Sequence, residues 1–249
     1  MVSKTCECLQ PCSTIDGITG ETGKSRCYQI CTPLQQVARL SLIFSCAGSE
    51  CPIIYLNTFS NEGQKVFEAA QAASCPPLTL VAISDLDWNH DMVPWDSLPA
   101  FKNADPCTGG ADDYLQLLTE EIIPTAEKKI TGVPCWRGIA GYSLAGLFAL
   151  YSIYQTDLFS RVGSMSGSLW FPGIKEYIFS HEPKRRPDCM YFSLGDKESK
   201  TKNAVLQSVQ QNTEEIHAFY QSKGIDTVLQ MNPAITITMP QNAQLPALF

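Results

Sequence analysis

From residue 37 onward the chain alternates short apolar runs with longer stretches of helical period. Residues 37–45 and 52–57 predict strands, the second carrying a compact Ile-Ile-Tyr-Leu run of the kind buried on both faces. Residues 63–73 predict a helix and 78–84 another buried strand. Asp112 and Asp113 open a helix that runs to residue 130, with Tyr114, Leu117, Leu118, Ile122 and Ala126 on one face. A short strand then ends near Tyr142, an apolar helix covers 144–154, and a strand follows at 162–165. The series closes with a strand at 190–194, a long helix at 203–222 and a last strand at 227–231. Strands that alternate with helices give a mainly parallel sheet covered on both faces, an α/β fold. In such a fold ligands bind beyond the carboxyl ends of the strands. Residues 1–36 carry no sustained period and stand apart as a cysteine-rich segment, ahead of an α/β domain at 37–233 and a tail at 234–249.

Composition narrows the chemistry. The 249 residues suffice for one large core, and 44% apolar content without a run of eighteen apolar residues argues against a membrane span. A net charge of −7, with no basic cluster longer than Lys184-Arg185-Arg186, argues against nucleic-acid binding. Of the eleven cysteines, Cys6, Cys8, Cys12, Cys27 and Cys31 crowd the start. They form no Cys-x-x-Cys pair and have no histidine nearby, so no metal site is expected. The opening Met-Val-Ser-Lys-Thr-Cys-Glu has no apolar signal core, which points to a cytoplasmic protein with reduced thiols. Gly17-Ile-Thr-Gly-Glu-Thr-Gly-Lys-Ser25 is reminiscent of a phosphate-binding loop. However, Ile18 stands where that signature needs glycine and no apolar strand precedes it, so a polar turn is the better reading. No cofactor is expected.

The stretch that carries chemistry is Arg137-Gly-Ile-Ala-Gly-Tyr-Ser-Leu-Ala-Gly-Leu-Phe-Ala-Leu150. It reads as strand, sharp turn and helix with Ser143 at the apex, the arrangement of a nucleophile elbow. There the serine is exposed above the sheet, and the N–H of the next residue, Leu144, is free to bind an oxyanion. Gly141 lets strand and helix approach, and Ala145 takes the place of the second glycine in the usual Gly-x-Ser-x-Gly pattern. A tight turn holding a satisfied serine would give the same letters.

Three segments together resemble a known family. They are Ile-Ala-Gly-Tyr-Ser-Leu-Ala-Gly-Leu-Phe-Ala-Leu, Ser-Gly-Ser-Leu-Trp-Phe-Pro-Gly at 166–173 and Phe-Ser-Leu-Gly-Asp-Lys-Glu-Ser-Lys-Thr-Lys-Asn at 192–203. Over about 52–233 the chain is similar to esterases of the α/β-hydrolase fold, relatives of esterase D and of enterochelin-type siderophore esterases. Asp87-Trp-Asn-His-Asp-Met-Val-Pro-Trp95 looks like the loop that these proteins carry over the active site. The resemblance implies hydrolysis of small carboxylic esters or thioesters through an acyl-serine on Ser143. It implies oxyanion donors from the backbone of Leu144 and Phe59, and an acid at Glu198 or Asp196. Glu198 is preferred because Asp196 is placed to cap its loop. Trp88, Trp95 and Trp170 would line the substrate pocket or simply pack.

The chain departs from the family at the base. The order serine, acid, histidine places a histidine just after the last strand. Here Leu229-Gln-Met-Asn-Pro233 continues as Ala-Ile-Thr-Ile-Thr-Met-Pro240. The three histidines are His90, His181 and His217, none of them in that place. Read one base out of frame, codons for the segment from Ala234 to Pro240 can spell Gly-Asn-His-Tyr-His-Asn-Ala. A frameshift after Pro233 is therefore expected to have replaced the catalytic histidine and the terminal helix. Two functions follow: a serine esterase impaired in this chain, or a hydrolase-fold protein that binds a small molecule or partner without catalysis.

Overall fold

A computed structural model describes residues 26–32, 39–45, 50–60, 62–100, 104–130 and 132–233. The tail from 234, the glycine-rich turn at 17–25 and Cys6, Cys8 and Cys12 lie outside these. Strands β1 (Arg26–Thr32), β2 (Arg39–Ser45), β3 (Ile53–Asn57) and β4 (Thr79–Ser84) come first, with helix α1 (Gly63–Ala72) between the last two. A loop follows that holds α2 (Trp88–Asp91) and a two-stranded ribbon of β5 (Asp96–Ser97) and β6 (Cys107–Thr108). Helices α3 (Ala111–Leu117) and α4 (Ile123–Glu127) lead to β7 (Arg137–Tyr142), α5 (Leu144–Gln155) and β8 (Arg161–Met165). The chain then runs through α6 (Ile174–Ser180), β9 (Cys189–Gly195), α7 (Ala204–Gln207), α8 (Val209–Ser222) and β10 (Asp226–Asn232).

Eight strands form one sheet in the order β1-β2-β4-β3-β7-β8-β9-β10. From β4 to β10 all neighbours are parallel, whereas β2 runs antiparallel to both β1 and β4. This is the α/β architecture the alternation predicts, a mostly parallel sheet with helices on both faces. Every residue of β3 and β4 is buried, because each face of these central strands meets a helical layer. Ile53 and Tyr55 point into a large cluster with Leu147, Leu150 and Ile216, while Ile54 and Leu56 join Phe67 and Ala70 of α1 on the opposite face. Side chains alternate along a strand, so four consecutive apolar or aromatic positions serve two cores at once. Helix α5 is buried from Leu144 to Tyr154, as expected of a helix that is apolar all round.

Four departures from the predicted elements have physical causes. β1 falls in the segment that showed no period. It pairs with β2 through seven register positions, from Arg26 opposite Ser45 to Thr32 opposite Arg39. An edge strand can be held by its ladder alone, and Arg-Cys-Tyr-Gln-Ile-Cys-Thr carries little hydrophobic contrast. The helix predicted from Asp112 is interrupted by a π turn at Leu118–Ile122. Pro124, just inside α4, has no N–H to continue the ladder, and the wider turn accommodates it. The helix predicted at 203–222 breaks at Ser208, whose hydroxyl bonds back to the Val205 carbonyl at 2.7 Å. Asn203 caps its start, accepting from the N–H groups of Val205 and Leu206. The fourth is α6, seven residues behind the left-handed Gly173 and too short for its period to stand out. No helix among the described residues is long and apolar enough to cross a membrane.

Candidate active site

The sharpest turn in the sheet falls at Ser143. Between the end of β7 and the start of α5 it adopts φ 58° and ψ −123°, a region nearly closed to residues with a Cβ. Holding it there costs about 1–3 kcal/mol, which the surroundings must offset. The Ser143 N–H donates to the Met165 carbonyl on β8 (3.1 Å), and its carbonyl accepts from Gly146, Leu147 and Ser168 at 3.0, 3.2 and 3.0 Å. Two glycines make the approach possible. A Cβ on Gly141 would run into the Ala145 carbonyl carbon, oxygen and Cβ, and one on Gly146 would lie 3.0 Å from the Gly141 oxygen, the Gly167 Cα and the Ser164 Oγ. Gly146 thus does the packing that the usual pattern gives to the position of Ala145. Gly141→Ala is expected to cost about 1–3 kcal/mol by overpacking. Urea denaturation read by tryptophan fluorescence checks it; an unchanged midpoint would mean that the elbow is looser than its geometry implies.

The side chain of Ser143 is partly exposed, and its Oγ lies 3.3 Å from the Ser168 Oγ. As the first residue of α5, Leu144 has an N–H with no intrahelical acceptor. Asn57 is in register with Gly141 across β3 and β7, so Phe59 and Ser143 each leave their strand two residues further on. Thr58 fixes that exit: its N–H and hydroxyl both donate to the Ile83 carbonyl, at 2.8 and 2.9 Å. The Phe59 ring is 69% exposed and stands edge-on to Trp88, with centroids 5.3 Å apart. Trp88 is partly buried at the start of α2, in the loop predicted to overlie the site. Trp95 is held more firmly. Its Nε1 donates to the Pro172 carbonyl at 2.8 Å and its ring is surrounded by Tyr151, Phe171 and Tyr177, which makes it a packing residue of the loop's far end. Trp170 lies against Phe171, partly buried.

The two candidate carboxylates sit in the loop that follows β9. Glu198, not Asp196, caps the loop: its Oε1 accepts from the Gly195 N–H at 2.8 Å and from the Ser166 hydroxyl at 2.7 Å. Asp196 donates its N–H to the Asn232 carbonyl at the end of β10 (2.8 Å), and its Oδ1 is buried without a partner among the described residues. Burial, and then the negative charge of Glu198, push the Tyr142 hydroxyl up to about 12, which puts that charge close to the residue preceding Ser143.

A family model described as Putative esterase matches residues 55–247. The chain belongs to that family. It is a carboxylic-ester hydrolase by family, and the match continues past Pro233 into the tail, further than the motifs alone reached. It is 28% identical over 183 residues to the uncharacterised protein YbbA of Bacillus subtilis (strain 168), covering 70% of this chain and 72% of that one. An IroE-like serine hydrolase from Shewanella oneidensis superposes with a TM-score of 0.67 at 18% identity, over 84% of this chain and 73% of its own. The siderophore hydrolase EstA of Aspergillus nidulans does so with 0.64 at 17%, over 85% and 87%. At these identities the structures establish the shared α/β-hydrolase fold.

In this esterase each of the three histidines has partners other than Ser143. His90 Nδ1 bonds the Thr108 carbonyl and hydroxyl at 3.0 and 2.9 Å, and its ring fills the space a Cβ on Gly110 would need. His181 stacks on Tyr177, its Nδ1 2.9 Å from that residue's carbonyl. His217 sits edge-on to Phe192 with its Nε2 3.5 Å from the Thr227 carbonyl. The stretch after Pro233, where the family order places the base, lies outside the described residues. Sequence reasoning used the Ser166-Gly-Ser168 triplet only as a resemblance and gave neither serine a role. The structure puts one on Glu198 and the other on Ser143. Two serines around a glycine, quoted within a family motif, were the available signal.

Proposed function

We propose that this esterase acts through an acyl intermediate on Ser143. The observation that carries the reading is the strained Ser143 turn, which sets a partly exposed serine directly before the first N–H of α5, that of Leu144. The hydroxyl oxygen attacks the ester carbonyl, and the carbonyl oxygen becomes an oxyanion held by the N–H groups of Leu144 and Phe59. A backbone donor so placed contributes about 10²–10³ in rate. The alcohol or thiol leaves with a proton, and water then releases the acid from Ser143. Phe59 and Trp88 form an apolar rim on the side of the oxyanion loop. That rim suits small acyl esters, and esters of siderophore type are the first to try, since two of the similar structures are named for hydrolases of such compounds.

Asp196 is the better candidate for the carboxylate that orients a base. Its buried, unpaired oxygen beside the end of β10 calls for an N–H donor arriving from the residues that follow. Glu198 is committed to its loop. Glu198→Gln is accordingly expected to cost about 1–3 kcal/mol in a denaturant titration, the worth of a bond to a charged group. An unchanged midpoint would return Glu198 to the role of triad acid.

Without a histidine after Pro233, activation of Ser143 is weak and turnover by this chain is slow. One observation favours the second reading, a binding protein without catalysis: among the described residues the Ser143 Oγ is bonded to a hydroxyl and not to a base. The test is p-nitrophenyl acetate hydrolysis by this chain beside Ser143→Ala. A rate that vanishes with the serine supports the esterase reading, and equal rates leave the binding protein.

A further inference from the structure

We infer that Ser168 is a hydrogen-bond donor to the nucleophile, setting both the direction of its proton and its ease of ionisation. The inference rests on the reading of Ser143 as nucleophile and extends it to a residue that the triad and oxyanion hole leave out.

The direction of the bond follows from burial. Ser168 is 2% exposed, whereas Ser143 is partly open to solvent. A buried hydroxyl must place its proton on an acceptor, and the Ser143 Oγ at 3.3 Å is the acceptor that Ser168 has among the described residues. Ser168 therefore donates and Ser143 accepts. The proton of Ser143 then points away from Ser168, toward the open side on which a base or water must take it.

The position is fixed from several sides. The Ser168 N–H donates to the Ser143 carbonyl at 3.0 Å, so the two residues are joined through backbone and side chain together. Gly167 is pressed against Gly146 of α5 and the Ser164 hydroxyl. Ser166 N–H donates to the Ser193 carbonyl at 2.8 Å, and Asn212 of α8 holds the Leu169 carbonyl at 2.8 Å. Ser166 itself adopts φ 42°, so the turn bends sharply to bring Ser168 back over the elbow. A loop pinned at each residue from 166 to 169 cannot readily take Ser168 elsewhere.

The chemical effect is differential. A donor bonds an alkoxide more strongly than a neutral hydroxyl or an ester oxygen, so the bond strengthens as Ser143 loses its proton and weakens once the acyl group is attached. It strengthens again as water expels Ser143 from the acyl-enzyme. Both half-reactions gain. In a chain without the expected histidine this donor matters more, because it helps ionisation without accepting a proton.

The experiment labels the full chain with an alkyl fluorophosphonate, which phosphonylates the serine oxygen and releases fluoride. The second-order rate is followed by intact mass between pH 6 and 9 (a range set by the probe's stability). Ser168→Ala is expected to label about tenfold more slowly at each pH, regaining the wild-type rate about one pH unit higher, because hydroxide compensates for a hydroxyl that ionises less readily. Ser168→Thr, which keeps the hydroxyl, should recover most of the rate. A structural role alone would lower the fraction of protein labelled, and the thermal midpoint, at an unchanged rate. Equal rates for wild type and Ser168→Ala in folded protein overturn the inference and leave the nucleophile reading standing. A wild-type chain that takes no label overturns both.

Discussion

Incubated with p-nitrophenyl acetate, this chain is expected to gain one acetyl group on Ser143 and to hold it, while Ser143→Ala gains none. The retained adduct is what a sequence with no histidine between Pro233 and Phe249 leads one to expect. Acylation of an activated ester needs little help for the leaving group, because p-nitrophenolate departs without a proton. The elbow and the two backbone donors then suffice to form the acyl-enzyme slowly. Deacylation is harder. Water is a poorer nucleophile than its hydroxide and needs a base to attack, so without an imidazole the second step falls behind the first. Acyl-enzyme accumulates, with release of p-nitrophenol in a stoichiometric burst. Intact mass with peptide mapping reads the site directly. Acetylation spread over surface lysines and unaffected by Ser143→Ala would remove the nucleophile reading.

How much of this was legible beforehand differs from element to element. Ile-Ile-Tyr-Leu and the 144–154 helix announced themselves because burial on all sides leaves unbroken apolar runs, and both stand where they were expected. The elbow was legible for a different reason: a non-glycine residue at φ 58° needs small neighbours, and Gly141, Ala145 and Gly146 write that need into the sequence. β1 was not, since an edge strand depends on a partner seven to nineteen residues away and not on its own pattern. Nor were the different partners of Asp196 and Glu198. Two carboxylates in one loop look alike until the Ser166 hydroxyl and the Gly195 N–H are found on Glu198. The contacts of His90 were not legible either, because Thr108 and Gly110 are distant enough in sequence to leave no local mark.

Restoring the base should have the larger effect. Replacing the segment from Ala234 to Pro240 by the out-of-frame reading changes Ala234→Gly, Ile235→Asn, Thr236→His, Ile237→Tyr, Thr238→His, Met239→Asn and Pro240→Ala. Two histidines then follow the end of β10, whose Asn232 carbonyl accepts from the Asp196 N–H. An imidazole placed between that oxygen and the Ser143 Oγ would take the serine's proton, hand it to the leaving group and later activate water. Loss of the histidine from such a unit costs about 10⁶ in kcat, because serine and base act as one. A histidine grafted in this way, with the rest of the tail left as it is, would recover only part of this, and a rise of about 10²–10⁴ in kcat/KM for p-nitrophenyl acetate is expected. The gain must vanish in the Ser143→Ala background and shrink with Asp196→Asn, which removes the charge that steadies the imidazolium. Burst kinetics should also give way to steady turnover as deacylation catches up. A graft that turns over no faster, while folding with the same thermal midpoint, would mean that the base in this fold does not come from the end of β10, and the frameshift reading would fall with it.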